Sequence, residues 1–402
     1  MSHSNYELLL LDRDLNALAS LYPVGTGMIP PRFIHWSRSW RRTDRLDMRI
    51  HRTTPWLTDL SALGNFLEMK RNGEFEALFY INMFSLTSGL LEYEKDARDH
   101  ANAVYVAGQG SGRDRNVVVR IDNNAIAEAG RRVEIFRDRR DISLEDLSAL
   151  RDAGDAVLAD KAILKSILLR PGEPETRDWL TICGCGVDVW LDRRIVLPPP
   201  GMVGDDGVVD ISDADVDGGS ISRPADEVMK GYVSRHLISP GDPNRTVANL
   251  VTQGETILFP SLVYQARFQS VLEVLQEIAR RANAGFEIIL NSQGQFEFRV
   301  LPQVDRTLDS SSPVVFYDTD VELDVASRSY RGHWDLGSKV SVVLEGFSNF
   351  RVDATIEEVT VELRPEEPIT YKIGLDRPHT SEIDRFSNTL TQLAGTMATS
   401  RA

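Results

Sequence analysis

The residues with the clearest ligand-binding pattern are three aspartates at alternating positions, Asp213, Asp215 and Asp217, followed by Gly218. Carboxylates at this spacing, with a glycine that permits a sharp turn, are typical of the first half of an EF-hand calcium loop. The twelfth position of such a loop needs a bidentate glutamate, but it is Pro224 here. Two interpretations stay open, a calcium site and a solvated acidic loop, and the broken motif favours the second.

Other chemical motifs are incomplete. Cys183 and Cys185 are separated by one residue, whereas a CxxC pair needs two, so we predict two buried, strand-borne thiols. The glycine-rich segment 108–113 follows a predicted strand but lacks the Lys-Ser/Thr of a phosphate-binding loop, and it reads as a hairpin bend. The seven histidines show no metal-binding spacing, and no nucleophile elbow is present. We therefore predict neither catalytic residues nor a cofactor.

Arginines are concentrated in two stretches, with seven in residues 32–52 and eight in residues 113–140. On a strand, Arg45 and Arg49 would share one face with Asp47, while Leu46, Met48 and Ile50 would pack on the other. Such a strip is either a solvated face or a surface that docks on an acidic partner or on passing DNA. We expect it to face another protein subunit. The residues predicted at that interface are Arg38, Arg41, Arg42, Arg45 and Arg49.

Composition limits the functions that such a chain can have. With 45 basic and 60 acidic side chains among 402 residues, the net charge is −15, which is unfavourable for general nucleic-acid binding. Two cysteines exclude a disulfide scaffold. No apolar run reaches the ~20 residues of a membrane-spanning helix, and the first residues do not resemble a secretory signal. We expect a multidomain protein made in the cytoplasm.

Period-two patterns predict that the chain is mainly β with an α+β part. Strands are expected at 6–11 and 45–51, and Asn72-Gly73 marks a hairpin, so the N-terminal region is predicted to be a β-barrel or sandwich. Three alternating strands at 339–345, 351–363 and 369–374 predict a second small barrel.

Helices are expected between these regions. Ser143 is predicted to cap a helix that contains Leu147 and Leu150, and Pro224 to begin another. Ser270 and Glu273 form a capping-box pattern for a third helix, which we expect to end at Gly285 and to be followed by a hairpin at 286–300.

Several segments together resemble the tail-hub proteins of siphophages, a Gp37-like tail protein family related to the baseplate hubs of contractile tails. The segments that carry the resemblance are 6–12, 65–73, 102–110, 192–199, 226–233, 271–300 and 334–340. In that family the segment corresponding to 102–110 comes later, just before the last barrel. The block 99–177 is therefore out of the usual order, and the dipeptide Arg-Asp occurs at both of its junctions, 98–99 and 177–178.

The resemblance implies two hub-type β-barrel domains that flank an α+β domain. The predicted boundaries are 1–98 for the first barrel, 99–177 for the displaced strand–helix–strand block, 178–223 for a strand–helix return with the acidic loop, 224–331 for the α+β domain, 332–376 for the second barrel and 377–402 for a polar tail.

The function implied by the resemblance is that of a non-enzymatic virion protein. Three copies would form a ring that joins the tail tube to the tail tip and lets DNA pass during ejection. The implied partners are the chain itself as a homotrimer, a tail-tube or distal-tail protein, the tape-measure protein and tail-tip or receptor-binding proteins, with DNA only in transit and no membrane insertion. Two alternatives stay open at this point: a tail-associated lysin or glycan depolymerase, and a receptor- or carbohydrate-binding module.

Overall fold

The structure is a computed structural model, and it describes residues 6–23, 29–88, 91–169, 178–255, 259–317, 330–344, 350–365 and 367–375. The chain is mainly β, with 43% strand and 19% helix. It divides into two units, one formed by 1–302 with 360–370 and the other by 303–359 with 371–402. The predicted polar tail, 377–402, lies outside the described residues, and the predicted boundaries between the smaller domains stay predictions.

The elements of the first unit are numbered in chain order. Its strands are β1 (Tyr6–Leu11), β2 (Ala17–Tyr22), β3 (Phe33–Ser39), β4 (Arg45–His51), β5 (Phe66–Arg71), β6 (Glu74–Ser88), β7 (Leu91–Asp96), β8 (Ala103–Ala107), β9 (Val117–Ile121), β10 (Glu134–Asp138), β11 (Leu164–Leu169), β12 (Trp179–Gly186), β13 (Met202–Val203), β14 (Val209–Asp210), β15 (Arg223–Pro224), β16 (Leu250–Thr252), β17 (Ser261–Leu262), β18 (Ala284–Leu290) and β19 (Phe296–Pro302). Its helices are α1 (Leu57–Leu60), α2 (Asn123–Ala129), α3 (Leu147–Asp160), α4 (Val189–Asp192), α5 (Ala225–Val233) and α6 (Val271–Ala282), and a π-helical turn, Ser234–Ile238, follows α5.

The main sheet of this unit has the strand order β2-β1-β5-β6-β12-β4-β3, and a further branch runs from β6 through β7 to β11. The predicted hairpin at Asn72-Gly73 joins β5 to β6, and both turn residues have positive φ, 53° and 79°, as a type I′ turn requires. None of the described sheets closes into a barrel, because no pairing joins the last strand of a sheet to its first. The expected barrel domains are therefore not confirmed.

Three strands of the block 99–177 form a separate sheet, β10-β8-β9, in which β8 is parallel to β10 and antiparallel to β9, whereas β11 of the same block pairs with β7 in the main sheet. Helix α3 covers it, with Leu150 packed among Val104, Val106 and Val118. The expected cap was wrong: Asp146, not Ser143, is the N-cap, since its carboxylate accepts a hydrogen bond from the amide of Ala149.

The α+β part contains the sheet β16-β19-β18, with α5 and α6 in the same apolar core. The capping box of Ser270 and Glu273 is present as predicted. The expected end of α6 was wrong, because Asn283 takes the left-handed conformation (φ 50°) that ends the helix. Gly285 instead lies in β18 against Trp40, where a Cβ atom would come within 2.4 Å of the indole ring.

The second unit contains β20 (Val304–Arg306), β21 (Val315–Tyr317), β22 (Ser338–Leu344), residues 350–359 of β23 (Phe350–Leu363) and residues 371–375 of β24 (Thr370–Leu375). The three strands predicted for this region correspond to β22, β23 and β24. Strands β20 and β21 pair parallel with β22, and β23 pairs antiparallel with it. Tyr330, Trp334 and Phe316 form a row of neighbouring rings in this unit, 5.1 Å and 6.0 Å between centroids.

Candidate interaction surfaces

Strand β4 has the alternation that the sequence predicts. Leu46, Met48 and Ile50 are buried, whereas Arg45 is exposed and Arg49 is half-buried. The guanidinium of Arg49 lies 5.9 Å from the centre of the Phe33 ring on the neighbouring strand. The side of β4 that carries arginine is therefore accessible to a partner, and Arg42, just before the strand, is exposed as well.

Two of the arginines predicted at the interface contact residues of their own chain. Arg38 is buried, and its Nη2 atom lies 3.1 Å from a carboxylate oxygen of Glu287. The Nε–H of Arg41 donates to the carbonyl oxygen of Ala284 at 2.9 Å. Arg38 and Arg41 thus link the region before β4 to β18, while Arg42, Arg45 and Arg49 form the accessible part of the strip.

The three aspartates of the acidic loop have different environments. Asp213 is exposed, and Asp215 accepts a hydrogen bond from the amide of Arg113, which joins the acidic loop to the glycine-rich segment. Asp217 is buried and contacts Arg235 at 2.9 Å and Nε2 of His236 at 2.7 Å. Burial raises the pKa of Asp217, but the hydrogen bond and charge of His236 and the charge of Arg235 outweigh burial, so the pKa is lowered.

Within the described ranges, no group of three or more His, Cys, Asp or Glu side chains is arranged to hold a metal ion. The two thiols lie on β12 as predicted, but the expected full burial was wrong, because both side chains are on the half-buried face of the strand. Burial raises the pKa of Cys183 to about 12 and that of Cys185 to about 11, so both are protonated at neutral pH.

For the part of the chain that is described, no helix has the length and apolar character needed to cross a membrane.

A buried ionic network joins β10 to the segment after α5, and no sequence motif indicates it. Glu134 receives two hydrogen bonds from Arg245, both 2.8 Å, and lies 3.1 Å from Arg132. Arg132 also contacts Asp242, at 3.1 Å. Burial raises the pKa of Glu134, but the charges of Arg245 and Arg194 and the hydrogen bond from Arg245 lower it to about 2. The carboxylate is therefore ionised inside the protein.

A second cluster pairs two acids, the buried Asp188 and the half-buried Asp44. The amide of Asp44 lies 3.3 Å from Oδ2 of Asp188, and Oδ1 of Asp188 is buried without a hydrogen-bond partner among the described residues. Burial raises the pKa of Asp44 to about 7, and burial together with the charge of Asp44 raises the pKa of Asp188 well above its ordinary value. These two carboxyl groups therefore hold protons at pH values where exposed aspartates do not.

Comparison with known proteins finds a family model that matches part of the chain. Residues 171–323 match the family model described as siphovirus ReqiPepy6 Gp37-like protein. The resemblance to Gp37-like tail proteins is confirmed. The match includes most of the α+β part and supports a structural protein of the phage tail. No curated protein matches the chain.

Solved tail proteins align with most of the chain at 8% identity. They are a tail protein from Neisseria meningitidis MC58 (TM-score 0.38, 93% of this chain and 97% of that chain), the 43 kDa tail protein of prophage MuSo2 from Shewanella oneidensis (0.39, 93% and 97%) and prophage tail protein gp18 from Listeria monocytogenes EGD-e (0.39, 98% and 99%). At TM-scores below 0.5, these alignments carry no further conclusion.

Proposed function

We propose that this chain is a non-enzymatic hub subunit of a phage tail. Three copies form a ring that joins the tail tube to the tail tip and leaves a channel through which DNA passes during ejection. The partners are a tail-tube or distal-tail protein, the tape-measure protein and tail-tip or receptor-binding proteins. The family match over residues 171–323 supports the tail assignment, and the edge of one strand supports the ring.

That edge belongs to β11. In the described part of the chain this strand pairs with β7 alone. It exposes 71% of Ile167 and 55% of Leu164, next to Leu91 and Tyr93 of β7, which are also exposed. An edge strand with apolar side chains is a template for pairing with another chain, and exposed apolar patches mark interaction sites.

A second copy of this chain is the occupant that we propose for the β11 edge. In a closed symmetric ring, every interface joins the same two surfaces, one from each neighbouring subunit. Each copy would therefore contribute its β11 edge to one interface. In the ring, the sheets that stay open within one chain would then be completed by the neighbouring subunits, which would form the expected barrels.

The test replaces Ile167 by lysine. Ile167→Lys places a charge on the edge and should reduce the trimer fraction, measured by size-exclusion chromatography with light scattering. Ile221→Lys is the matched control, since Ile221 is similarly exposed, 67%, but lies in a loop. A wild-type chain that stays monomeric both alone and with tail-tube protein would contradict the ring. A trimer fraction in Ile167→Lys equal to that of the wild type would contradict the β11 interface.

A further inference from the structure

The first unit contains a cavity of about 800 Å³ that none of the sequence motifs accounts for. It lies between the turn after β1, helix α2 and residues 244–249. Four arginines line it, Arg13, Arg131, Arg132 and Arg194, against one acid among the described lining residues, Asp14. Small-molecule sites have volumes of roughly 300–1,000 Å³ and contain a few convergent polar groups. The size and the charge of this cavity are therefore those of a site for an anion.

The guanidinium of Arg13 is held by carbonyl groups and not by carboxylates. It donates to the carbonyl oxygens of Leu63 (2.7 Å), Ala127 (3.0 Å) and Glu128 (2.7 Å). Gly64 and Gly130 leave space for it, since a Cβ atom at either position would lie within about 3 Å of Nε. The backbone is shaped around this exposed guanidinium, and in the described structure no carboxylate forms an ion pair with it.

Arg131 is a second cation without an acidic partner. Its guanidinium stacks on the Tyr80 ring, 3.0 Å from the centroid, and Nη1 is buried with no hydrogen-bond partner among the described residues. Burial lowers the pKa of Arg131; the nearby Tyr80 and Cys185 groups act in the opposite direction, and the positive charges of Arg193 and Arg13 act in the same direction as burial, so the net change is downward. An anion close to this side chain would be stabilised by it, because a buried charge without a partner is costly.

The remaining two arginines differ from each other. Arg194 donates to carbonyl oxygens alone, those of Arg245, Arg132 and Arg193. Arg132 is paired with Glu134 and Asp242. Three of the four lining arginines therefore form no ion pair with a carboxylate in the described structure, although the charge of Arg194 acts on Glu134 and the whole chain carries a net charge of −15.

We propose that this cavity binds the oxyanion group of a ligand, a carboxylate or a phosphate. Guanidinium groups bind both with charge-assisted, often bidentate hydrogen bonds. Two sources share this chemistry: a free inorganic anion and the acidic side chains of a polypeptide. The proposal does not depend on the hub assignment, because it rests on the cavity and its charges.

The test measures binding by isothermal titration calorimetry with two probes, inorganic phosphate and a hexaglutamate peptide, in chloride buffer of constant ionic strength. Saturable binding of either probe is expected, and the probe that binds identifies the source. Asn123→Asp adds a negative charge to the cavity wall at the first residue of α2, a position that tolerates acids. It should weaken binding about tenfold, the size expected for a charge ~4–6 Å away at partial solvent exposure.

Matched variants exclude an effect of folding. Asn124→Asp adds the same charge one residue further along α2, outside the cavity lining, and should change the dissociation constant less than about threefold. Asp14→Asn removes the acid of the wall and should tighten binding. Absence of binding beyond chloride for both probes, or equal effects of Asn123→Asp and Asn124→Asp, would overturn the proposal.

Discussion

At the scale of single residues, Glu134 shows how a charge can be kept inside the first unit. Its carboxylate is 1% exposed and accepts hydrogen bonds from Arg245 and from the amide of Ile195. Desolvating a carboxylate costs several kcal/mol, and only partners on several sides can offset that cost. Arg132 and Arg245 approach from two different segments of the chain. The network therefore links β10 to the residues after α5 and acts as a structural anchor.

Glu134→Gln should lower the free energy of unfolding by about 3–5 kcal/mol, because the amide leaves Arg245 and Arg132 buried without their counter-charge. Urea denaturation measures the change. Glu145→Gln is the control, since Glu145 is exposed, and it should stay within about 0.5 kcal/mol of wild type. A Glu134→Gln variant as stable as its control would show that the network does not hold the fold.

The acid pair Asp44 and Asp188 makes stability depend on pH. Both folded-state pKa values are raised above the ordinary value near 4. The unfolded chain loses these protons from about pH 4 upward while the folded chain keeps them, so the free energy of unfolding falls as pH rises through the folded-state pKa of Asp44, about 7. Asp188→Asn should reduce this fall.

Urea denaturation at pH 5 and at pH 8 checks the effect of the acid pair. The difference between the two pH values should be smaller in Asp188→Asn than in wild type, because the raised pKa of Asp188 then no longer contributes to it. Asp213→Asn, at an exposed position of the acidic loop, should keep the wild-type difference. An unchanged difference in Asp188→Asn would mean that the pair does not control stability in this range.

At the scale of elements, the sequence predicts turns and helix caps correctly where the residues that determine them are close together in the chain. Asn72-Gly73 and the Ser270/Glu273 box act within four residues, and both are present in the structure. Helix α2 was missed because seven residues are too few to show a periodic apolar face, although its cap Asp122 and the left-handed Gly130 were readable signals. The Arg245–Glu134 pair spans 111 positions of sequence. No local pattern reports such a distance.

The caps of α3 give a direct test of the corrected boundary. Asp146→Ala should cost about 1 kcal/mol of stability, because its carboxylate accepts the hydrogen bond of the Ala149 amide. Ser143→Ala should change stability by less than about 0.5 kcal/mol, since Ser143 lies before the helix and makes one long contact, 3.4 Å, to the amide of Glu145. Urea denaturation compares the two variants. A larger loss of stability in Ser143→Ala than in Asp146→Ala would support Ser143 as the N-cap.

At the scale of the whole molecule, the distribution of charge matters more than its sum. A chain of net charge −15 repels DNA at a distance, so the accessible arginines Arg42, Arg45 and Arg49 form a local exception. In a channel that conducts DNA, arginines that bind the phosphates would hinder its passage. A docking surface gains association rate and a defined register from complementary charge. We therefore expect these arginines to face another subunit of the tail and not the lumen.

Reversing the charge of Arg45 and Arg49 together tests this expectation. Arg45→Glu/Arg49→Glu leaves the buried face of β4 intact and removes one exposed contact, between Arg49 and Phe33, worth about 0.5–1 kcal/mol, so the isolated chain should still fold. Tail assembly, counted as complete particles by electron microscopy, should fall sharply. Arg140→Glu is the control, because its side chain is 72% exposed on another part of the chain, and it should assemble normally. If the double variant forms complete particles and DNA ejection alone is altered, the arginines of β4 line the channel, and the docking surface must be sought elsewhere.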